Sequence, residues 1–276
     1  MSIGVVGNVA RSALKSSAAA ADVLRRPARG LVVLIYHRVG RRTPTEVDLP
    51  LALFVDQIAW LAATLPVVSL DDGLAWVAGG DAGADDLRVA ITFDDGTADF
   101  ADVAVPVLEQ YRVPATLYVA TQFLEDRRPF PNDGEPISWS ALRDCVATGV
   151  VTVGSHTHSH ALLDRLPDAE VTGELDRSIE LIGERTGAVA THFAYPKALM
   201  GSPAADRAVR ARFGSAALAG GHANRPGATD VHRLARTPVQ VSDGEAWFRR
   251  KACGGLALEE SIRRMVNRRR YSGATT

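Results

Sequence analysis

Two adjacent carboxylates follow an apolar run in the sequence Ile-Thr-Phe-Asp-Asp-Gly at residues 91–96. Residues 89–93 have the composition of a buried strand in a parallel sheet. The pattern therefore predicts that Asp94 and Asp95 lie at the carboxyl end of a strand, where α/β folds build their active sites. Gly96 permits the sharp turn that frees both side chains. Taken alone, Asp-Asp-Gly is more typical of a turn that merely ends a strand.

A histidine-rich segment, His-Thr-His-Ser-His at residues 156–160, follows a second β-branched run at 150–153. If the segment forms a helical turn, His156 and His160 share one face and reach one cation, whereas His158 points elsewhere. A carboxylate with two histidines leaves coordination positions for water and substrate, as a catalytic metal requires. Zinc, iron, cobalt and nickel all tolerate this ligand set. The alternative is a polar loop that happens to be rich in histidine.

The two motifs together resemble those of the polysaccharide deacetylases, also called carbohydrate esterase family 4. Thr-Phe-Asp-Asp-Gly at 92–96 matches the first motif of that family, and His-Thr-x-x-His at 156–160 matches the second. The intervening segments 105–108 and 113–119 resemble the family's helix and next strand, so the likeness runs from about residue 31 to residue 240.

The resemblance implies roles for four of these residues. Asp95, His156 and His160 would hold a divalent metal, with Zn²⁺ as the first choice and Co²⁺, Ni²⁺ or Fe²⁺ as alternatives. Asp94 would act as the catalytic base.

The third motif of the family is only partly present, as Phe-Ala-Tyr-Pro-Lys at 193–197. Many members carry an arginine two residues before the proline and a tyrosine after it, and this chain has Ala194 and Lys197 there. The arginine that would orient the base is therefore expected to be missing. This version resembles a branch whose members act largely on amino-sugar polymers of capsules and biofilms. Tyr195 and Pro196 are the expected substrate-binding residues, with a nearby backbone N–H for the oxyanion.

The usual Leu-x-His motif, which supplies the general acid in the family, is not evident near Leu234. His37 is the candidate, since it ends the apolar run 31–36 as a titratable group at a strand end. The Tyr-His strand is similar to that of permuted family members, in which this histidine replaces the missing acid. His192, His222 and His232 are weaker candidates.

These roles predict a metal-dependent hydrolase that removes acetyl groups from an N-acetylated sugar or glycan. Asp94 would accept a proton from a water whose pKa the metal lowers, and His37 would protonate the departing amine. One alternative is an O-acetyl esterase, or a hydrolase of a non-sugar amide, with the same site. Another is a glycan-binding protein that has lost catalysis, which the altered third motif favours and the intact metal ligands oppose.

Composition and patterning predict a single α/β domain, an irregular parallel β/α barrel of about seven strands. The chain has 276 residues, of which 46% are hydrophobic and 23% charged, enough for one full core. Strand-like runs occur at 31–36, 67–70, 88–93, 115–120, 150–153, 189–193 and 215–219. Helical spacing of apolar residues appears at Phe54, Ile58, Leu61 and Leu65, and at Leu175, Ile179 and Ile182. The turn-rich loop 125–138 either overhangs the site or is a plain surface connection.

The expected organisation is an amino-terminal helical extension at 1–30, the catalytic barrel at 31–245, and a basic helix and tail at 246–276. Both ends are basic: residues 1–42 carry a charge of +7 and residues 249–270 carry +6, although the whole chain has −1. Leu258, Ile262 and Met265 form an apolar face on the last helix. Docking of this face onto the barrel is preferred over peripheral contact with an anionic membrane.

Several function classes are excluded or disfavoured by the sequence. The body between the basic ends is too acidic for a nucleic-acid-binding protein. No apolar segment has the length of a secretory signal core or a transmembrane helix. Two cysteines, Cys145 and Cys253, do not define a disulfide framework. A cytoplasmic location is therefore expected, with membrane contact as an alternative.

Overall fold

The structure, a computed structural model, describes residues 3–24, 27, 29–79 and 86–271. Within these residues, seven parallel strands close a barrel in the order β1-β4-β5-β6-β7-β8-β9, and β2 pairs with β3 in a separate ladder. The strands are β1 (Gly30–Tyr36), β2 (Arg38–Val39), β3 (Asp48–Leu49), β4 (Leu87–Phe93), β5 (Ala115–Val119), β6 (Val151–Ser155), β7 (His192–Ala194), β8 (Ser215–Ala219) and β9 (Leu234–Pro238). The predicted fold class, a single α/β barrel domain, is confirmed.

Helices connect the strands and cover the barrel. They are α1 (Ile3–Leu24), α2 (Leu51–Thr64), α3 (Leu70–Gly79), α4 (Val105–Tyr111), α5 (Thr121–Glu125), α6 (Trp139–Ala147), α7 (Asp168–Thr186), α8 (Pro203–Arg210), α9 (Gly244–Ala252) and α10 (Ala257–Tyr271). The faces predicted from helical spacing are buried in α2, through Phe54, Ile58 and Leu61, and in α7, through Leu175 and Ile182. Apolar side chains at this spacing bury a stripe of each helix against the sheet.

The strand register brings the ends of β1, β4 and β5 to one rim of the barrel. Tyr36, the last residue of β1, lies opposite Phe93, the last residue of β4. Phe93 in turn lies opposite Leu117 of β5. An aromatic cluster packs at these strand ends. The ring centroids of Tyr36 and Phe93 are 5.3 Å apart, and Phe54 packs edge-on against Tyr36 at 5.4 Å. Residues that follow these strands therefore share the same rim.

One predicted strand was wrong, and one strand of the barrel was missed. Residues 67–70 form only an isolated bridge between Val67 and Val89 before α3 begins at Leu70. The Ser69 hydroxyl accepts a hydrogen bond from the Asp72 N–H at 3.0 Å. This serine cap and the acidic residues in the first turn favour a helix that begins at Leu70. The seventh barrel strand is instead β9, which pairs with β1 and β8 and was not predicted.

The terminal helices α1 and α10 pack against each other, and α10 docks onto the body of the protein. The docked side of α10 carries the buried Glu259 and Glu260 and the half-buried Ile262, whereas Leu258 and Met265 are 44% and 54% exposed. The predicted apolar face is therefore only partly the docked face. Contact of the basic ends with a membrane stays a prediction.

The proposed division at residues 30 and 245 also stays a prediction, and residues 1–2, 25–26, 28 and 272–276 of the terminal segments lie outside the described residues. Among the helices that the structure describes, none combines the length and apolarity needed to cross a membrane. Both cysteines, Cys145 and Cys253, are free.

Candidate functional site

A cavity of about 550 Å³ opens at the carboxyl rim of the barrel. Its lining includes the residues singled out at the ends of three strands: His37 after β1, Asp94 and Asp95 after β4, and His156 and His160 after β6. Parallel strands deliver the residues after them to one edge, which is why segments far apart in sequence meet here. The terminal helices reach the same cavity through Leu14 of α1 and Ile262 of α10, among others.

Asp95, His156 and His160 form a compact group in which one ligand atom from each lies within 4.8 Å of the others. The Asp95 Oδ1 is 3.8 Å from the His156 Nε2 and 3.5 Å from the His160 Nε2. The His156 and His160 rings lie with their centroids 4.9 Å apart. Three donors converging from two strand ends define a candidate metal site with open sides toward the cavity.

The helical turn predicted for residues 156–160 was wrong, because the segment is an irregular loop. Thr157 and His160 both have φ of 65°, and Asp95 has φ of 77°. Such left-handed conformations are costly for residues other than glycine and cluster where structure is held for function. The loop directs His156 and His160 to Asp95, while His158 lies outside the group with its Nδ1 at 2.9 Å from the Thr121 hydroxyl.

The chemistry of the three donors fits a divalent transition metal. The His156 Nδ1 donates to the Ala194 carbonyl at 2.7 Å, which leaves the Nε2 lone pair facing Asp95. Burial lowers the pKa of His156 to about 4, so the ring is neutral at pH 7. Burial alone would raise the pKa of Asp95, but the hydrogen bond from His160 and the charges of the neighbouring histidines lower it well below its usual range. Asp95 therefore offers a carboxylate and the two histidines offer imidazole nitrogens, a donor set that does not select among zinc, iron, cobalt and nickel.

Asp94 is held by an arginine, Arg236, although the altered third motif predicted that no arginine would orient it. Arg236, in the middle of β9, donates from Nη1 to Asp94 Oδ1 at 2.6 Å and from Nη2 to Asp94 Oδ2 at 2.8 Å. Its Nη1 also donates to the Thr92 hydroxyl at 3.1 Å, and its guanidinium lies 5.1 Å from the Tyr118 ring centroid. The orienting arginine thus comes from another strand, and that prediction was wrong.

The electrostatics of this pair favour an ionised Asp94. Burial alone would raise the pKa of Asp94, but the Arg236 guanidinium, followed by His156 and His37, lowers it below its usual value. Arg236 itself is fully buried. A bidentate guanidinium–carboxylate pair is the strongest common arrangement for holding a carboxylate in one orientation. The only sequence signal for it was an arginine between apolar residues in a segment able to form a strand.

His37 is half-buried and lines the cavity beside the two carboxylates. It is close enough to lower the pKa of both Asp94 and Asp95 by its charge. Its Nδ1 is buried and has no hydrogen-bond partner among the described residues. No carboxylate therefore orients this ring in the way that one orients a typical general acid–base histidine.

The three weaker histidine candidates lie outside the cavity lining. His192 is buried and is bonded to the Ser215 hydroxyl at 2.9 Å and to the Asp71 carboxylate at 3.1 Å. His222 is bonded to the Gly220 carbonyl, and His232 to the Phe213 carbonyl. Each has a structural partner, and none belongs to the group of Asp95, His156 and His160.

The Tyr195 and Pro196 positions differ from expectation, since neither is part of the cavity lining. The Tyr195 N–H donates to the Ala217 carbonyl at 3.1 Å, which continues the β7–β8 ladder, and its hydroxyl faces Asp206 at 3.4 Å. The Tyr195 N–H is therefore not free to bind substrate. Lys197 and Ala198, which follow in a turn with φ of 54° at both residues, line the cavity instead.

The comparisons with known proteins agree with this barrel. Residues 82–214, just under half of the chain, match the family model described as polysaccharide deacetylase. Among solved structures, IcaB from Ammonifex degensii is 26% identical with a TM-score of 0.70, and the match covers 81% of this chain and 98% of that one. No curated protein matches the chain.

Two more distant structures share the fold. The deacetylase PplD from Streptococcus pyogenes, solved in complex with acetate, is 18% identical with a TM-score of 0.70, covering 82% of this chain and 99% of that one. A de-N-acetylase from Aggregatibacter actinomycetemcomitans is 18% identical with a TM-score of 0.65, covering 80% of this chain and 99% of that one. The shared architecture thus extends well beyond the segment that the family model matches.

Proposed function

We propose that this chain is a member of the polysaccharide deacetylase family that hydrolyses acetyl groups from an N-acetylated sugar or glycan. The observation that carries the proposal is one cavity holding both a carboxylate oriented by Arg236 and the group of Asp95, His156 and His160. The match of residues 82–214 and the solved deacetylases of the same fold support a deacetylase of glycans. Hydrolysis of the amide and the role of each residue are our proposal.

The metal site is assigned to Asp95, His156 and His160, with Zn²⁺ first and Co²⁺, Ni²⁺ or Fe²⁺ as chemically acceptable alternatives. When bound there, the ion supplies Lewis-acid chemistry, lowering the pKa of a water molecule and polarising the acetyl carbonyl. His156 is kept in the ligand tautomer by its hydrogen bond to the Ala194 carbonyl. Asp95 supplies the negative charge that makes a divalent cation favourable.

Asp94 is the proposed base. Its lowered pKa keeps it ionised at neutral pH, so it can accept the proton that the attacking water loses. Arg236 binds one lone pair on each carboxylate oxygen and leaves the others for that proton. Because Arg236 is buried and also bonded to Thr92, the carboxylate cannot rotate freely away from the cavity.

His37 and the turn after β7 complete the proposed machinery. An amine is a poor leaving group unless it is protonated, and His37, which lines the cavity with Asp94, can deliver that proton. The developing oxyanion needs an N–H donor from the turn at residues 195–198. The Tyr195 N–H is used by Ala217, Pro196 has none, and the Ala198 N–H donates to the Tyr195 carbonyl, which leaves the N–H of Lys197.

The test is acetate release by metal-reconstituted protein from N-acetylglucosamine oligomers and from O-acetylated sugars. We expect release from the amides, collapse of that release in Asp94→Asn, and a loss of about 10²- to 10⁴-fold in His37→Ala. His222→Ala is the matched control, because this exposed histidine lies outside the cavity and should leave the rate unchanged. Failure to release acetate from any amide would contradict the proposed reaction.

One observation favours a second candidate, an O-acetyl esterase with the same site. The His37 Nδ1 lacks a hydrogen-bond partner within the described part of the chain, so the ring is less well oriented than a typical general acid. An alkoxide leaves more readily than an amine and depends less on such an acid. Ester hydrolysis that persists in His37→Ala, with no amide hydrolysis in the unaltered protein, would identify the esterase. Two sequence features favoured a silent glycan binder, the altered third motif without its arginine and the vacant acid position, and Arg236 supplies an arginine at Asp94 from β9.

A further inference from the structure

A tight hairpin at residues 130–134, here called the cleft hairpin, projects into the cavity from the long loop between α5 and α6. The Phe130 N–H donates to the Gly134 carbonyl at 2.8 Å, and the Gly134 N–H donates to the Phe130 carbonyl at 3.2 Å. Asn132 and Asp133 have φ of 59° and 53°, as a tight hairpin turn requires. Pro131 and Asn132 at the tip line the cavity. The loop therefore contributes to the site rather than only connecting two helices.

Arg38 holds the tip of the cleft hairpin. Its Nη2 donates to the Pro131 carbonyl at 2.7 Å and its Nη1 to the Asn132 carbonyl at 3.1 Å. Arg38 is 7% exposed and forms no ion pair with a carboxylate among the described residues. Burying a guanidinium against two neutral carbonyls is costly, so such an arrangement indicates a position that is closely specified. Arg38 directly follows His37, which links the hairpin tip to the proposed acid.

The base of the cleft hairpin is fixed from the opposite side. Phe130 is buried and stacks on Phe123 of α5, with ring centroids 4.2 Å apart and ring planes within 6°. Phe123 in turn packs edge-on against His160, with ring centroids 6.4 Å apart. The Arg128 guanidinium lies 4.2 Å from the centroid of the Phe123 ring. Stacked aromatic pairs of this kind stabilise their geometry beyond simple burial. The hairpin is thus held both to a metal ligand and to Arg38.

Gly134 is required by the approach of Arg38 and not by its own backbone conformation, since its φ lies outside the left-handed region. A Cβ at this position would lie 2.1 Å from the Arg38 Nη2 and 2.6 Å from its Cζ. Any side chain at 134 would displace the guanidinium from the two carbonyls. Close approach to another group is one of the main reasons for glycine in a hairpin.

The geometry points to Asn132 as a specificity-determining residue that binds a hydroxyl or acetamido group of an uncharged sugar ring, with Arg38 as the residue that positions it. The Asn132 side chain makes no hydrogen bond with the described residues, and the residue borders the cavity that contains Asp94 and the metal ligands. A carboxamide offers both a donor and an acceptor without charge, which suits the mixed polarity of a neutral sugar. The inference rests on the proposed function and adds to it the class of group recognised.

The decisive comparison is Asn132→Gly against Asp133→Gly in metal-reconstituted full-length protein. Both residues are exposed and have positive φ, so glycine suits both backbones, but only Asn132 lines the cavity. We expect Asn132→Gly to raise KM for N-acetylglucosamine oligomers about tenfold, the usual effect of losing one hydrogen bond, with kcat within about twofold. Asp133→Gly should change neither. Equal kinetics in the two variants would overturn the assignment.

The positioning role of Arg38 is tested with Gly134→Ala, Arg38→Met and the double variant. Each single change should raise KM about as much as Asn132→Gly, because each releases the hairpin tip. In the double variant the alanine methyl group enters space that the guanidinium has left, so the second change should add nothing. A purely structural role predicts additive losses in thermal stability without this effect on KM, and that result would contradict the positioning role.

A second substrate separates this inference from the proposed function. An acyclic N-acetyl amine has no sugar ring, so its hydrolysis should be the same in Asn132→Gly and in unaltered protein. If the unaltered protein releases no acetate from any substrate, the proposed function fails, and calorimetric binding of an N-acetylglucosamine oligomer then tests the hairpin alone. Weaker binding by Asn132→Gly would still support it, whereas equal or absent binding would overturn it.

Discussion

Two buried sets of paired charges in this protein have different consequences. One is the Arg236–Asp94 pair at the cavity. The other, here called the terminal network, is centred on Asp243 and includes Lys15 of α1, Lys251 of α9 and Glu259 of α10. The Lys15 Nζ lies 2.6 Å from Asp243 Oδ1, and the Lys251 Nζ lies 2.9 Å from Asp243 Oδ2. Lys251 also lies 3.9 Å from the Glu259 carboxylate. Both networks join residues that are far apart in sequence.

The two carboxylates differ in whether they border a cavity. Asp243 is fully enclosed, and its Oδ2 also accepts the Gln240 N–H at 2.8 Å. Asp94 is bound by one guanidinium on one side and borders the cavity on the other. A fully enclosed carboxylate can only fix the elements around it, whereas one that borders a cavity can take part in chemistry. Similar pairs can therefore serve stability in one region and reactivity in another.

The largest expected effect comes from removing one of the proposed metal ligands beside the Arg236–Asp94 pair. In His160→Ala we expect loss of stoichiometric metal and of detectable acetate release, because the remaining donors no longer enclose a cation. Metal content by mass spectrometry and acetate release measure the two effects. His158→Ala is the control, since this ring is bonded to Thr121 outside the group. Full activity in His160→Ala would show that the site lies elsewhere.

Replacing the orienting arginine should have the next largest effect. In Arg236→Lys we expect kcat/KM to fall about 10²-fold, since a single ammonium cannot reproduce the two-pronged bond to Asp94. The guanidinium lowers the pKa of Asp94, so its loss raises that pKa, and the acidic limb of the pH profile should move to higher pH. An unchanged acidic limb would show that Arg236 does not set the pKa of the catalytic base. It would then contradict the reactive role assigned to the Arg236–Asp94 pair.

Breaking the terminal network should cost stability instead of rate. In Asp243→Asn we expect the free energy of unfolding to fall by about 3–5 kcal/mol, because two buried lysines lose their counter-charge. Activity at 25 °C should stay within about twofold of the unaltered protein. Glu245→Gln, two residues further on in α9, is the control: its pair with Arg249 is exposed, at 3.0 Å, and contributes less than about 1 kcal/mol. A rate loss without a stability loss in Asp243→Asn would reverse the two roles.

The smallest expected effect is a change in how stability depends on pH. Burial alone would raise the pKa of Asp243, but Lys251 and Lys15 lower it below its usual value. Its contribution is therefore fully present above the unfolded-state pKa of about 3.9 and is lost as pH falls toward the lower folded-state pKa. Urea unfolding between pH 6 and pH 3 should show a shallower acid-side decline in Asp243→Asn. Parallel curves for the two proteins would contradict this assignment.

Much of the candidate site could be read from short contiguous segments. Asp94 and Asp95 follow one apolar run, and His156 and His160 follow another, so each pair was recognisable without knowing its neighbours. Because parallel strands end at one rim, the meeting of these segments also followed from the predicted fold. The backbone path of residues 156–160 could not be predicted from the sequence, since the left-handed conformations of Thr157 and His160 depend on contacts made only in the folded barrel.

The sequence by itself determined the barrel, its rim and the identities of the metal-ligand candidates, because these depend on local patterns of apolar and polar residues. Only the tertiary structure decided that Arg236 orients Asp94, 142 residues away, and that Arg38 holds the cleft hairpin. A charged side chain in a strand or under a loop is unfavourable until its partner is supplied by closure of the fold. Such partnerships are set by three-dimensional proximity, which local sequence patterns do not encode.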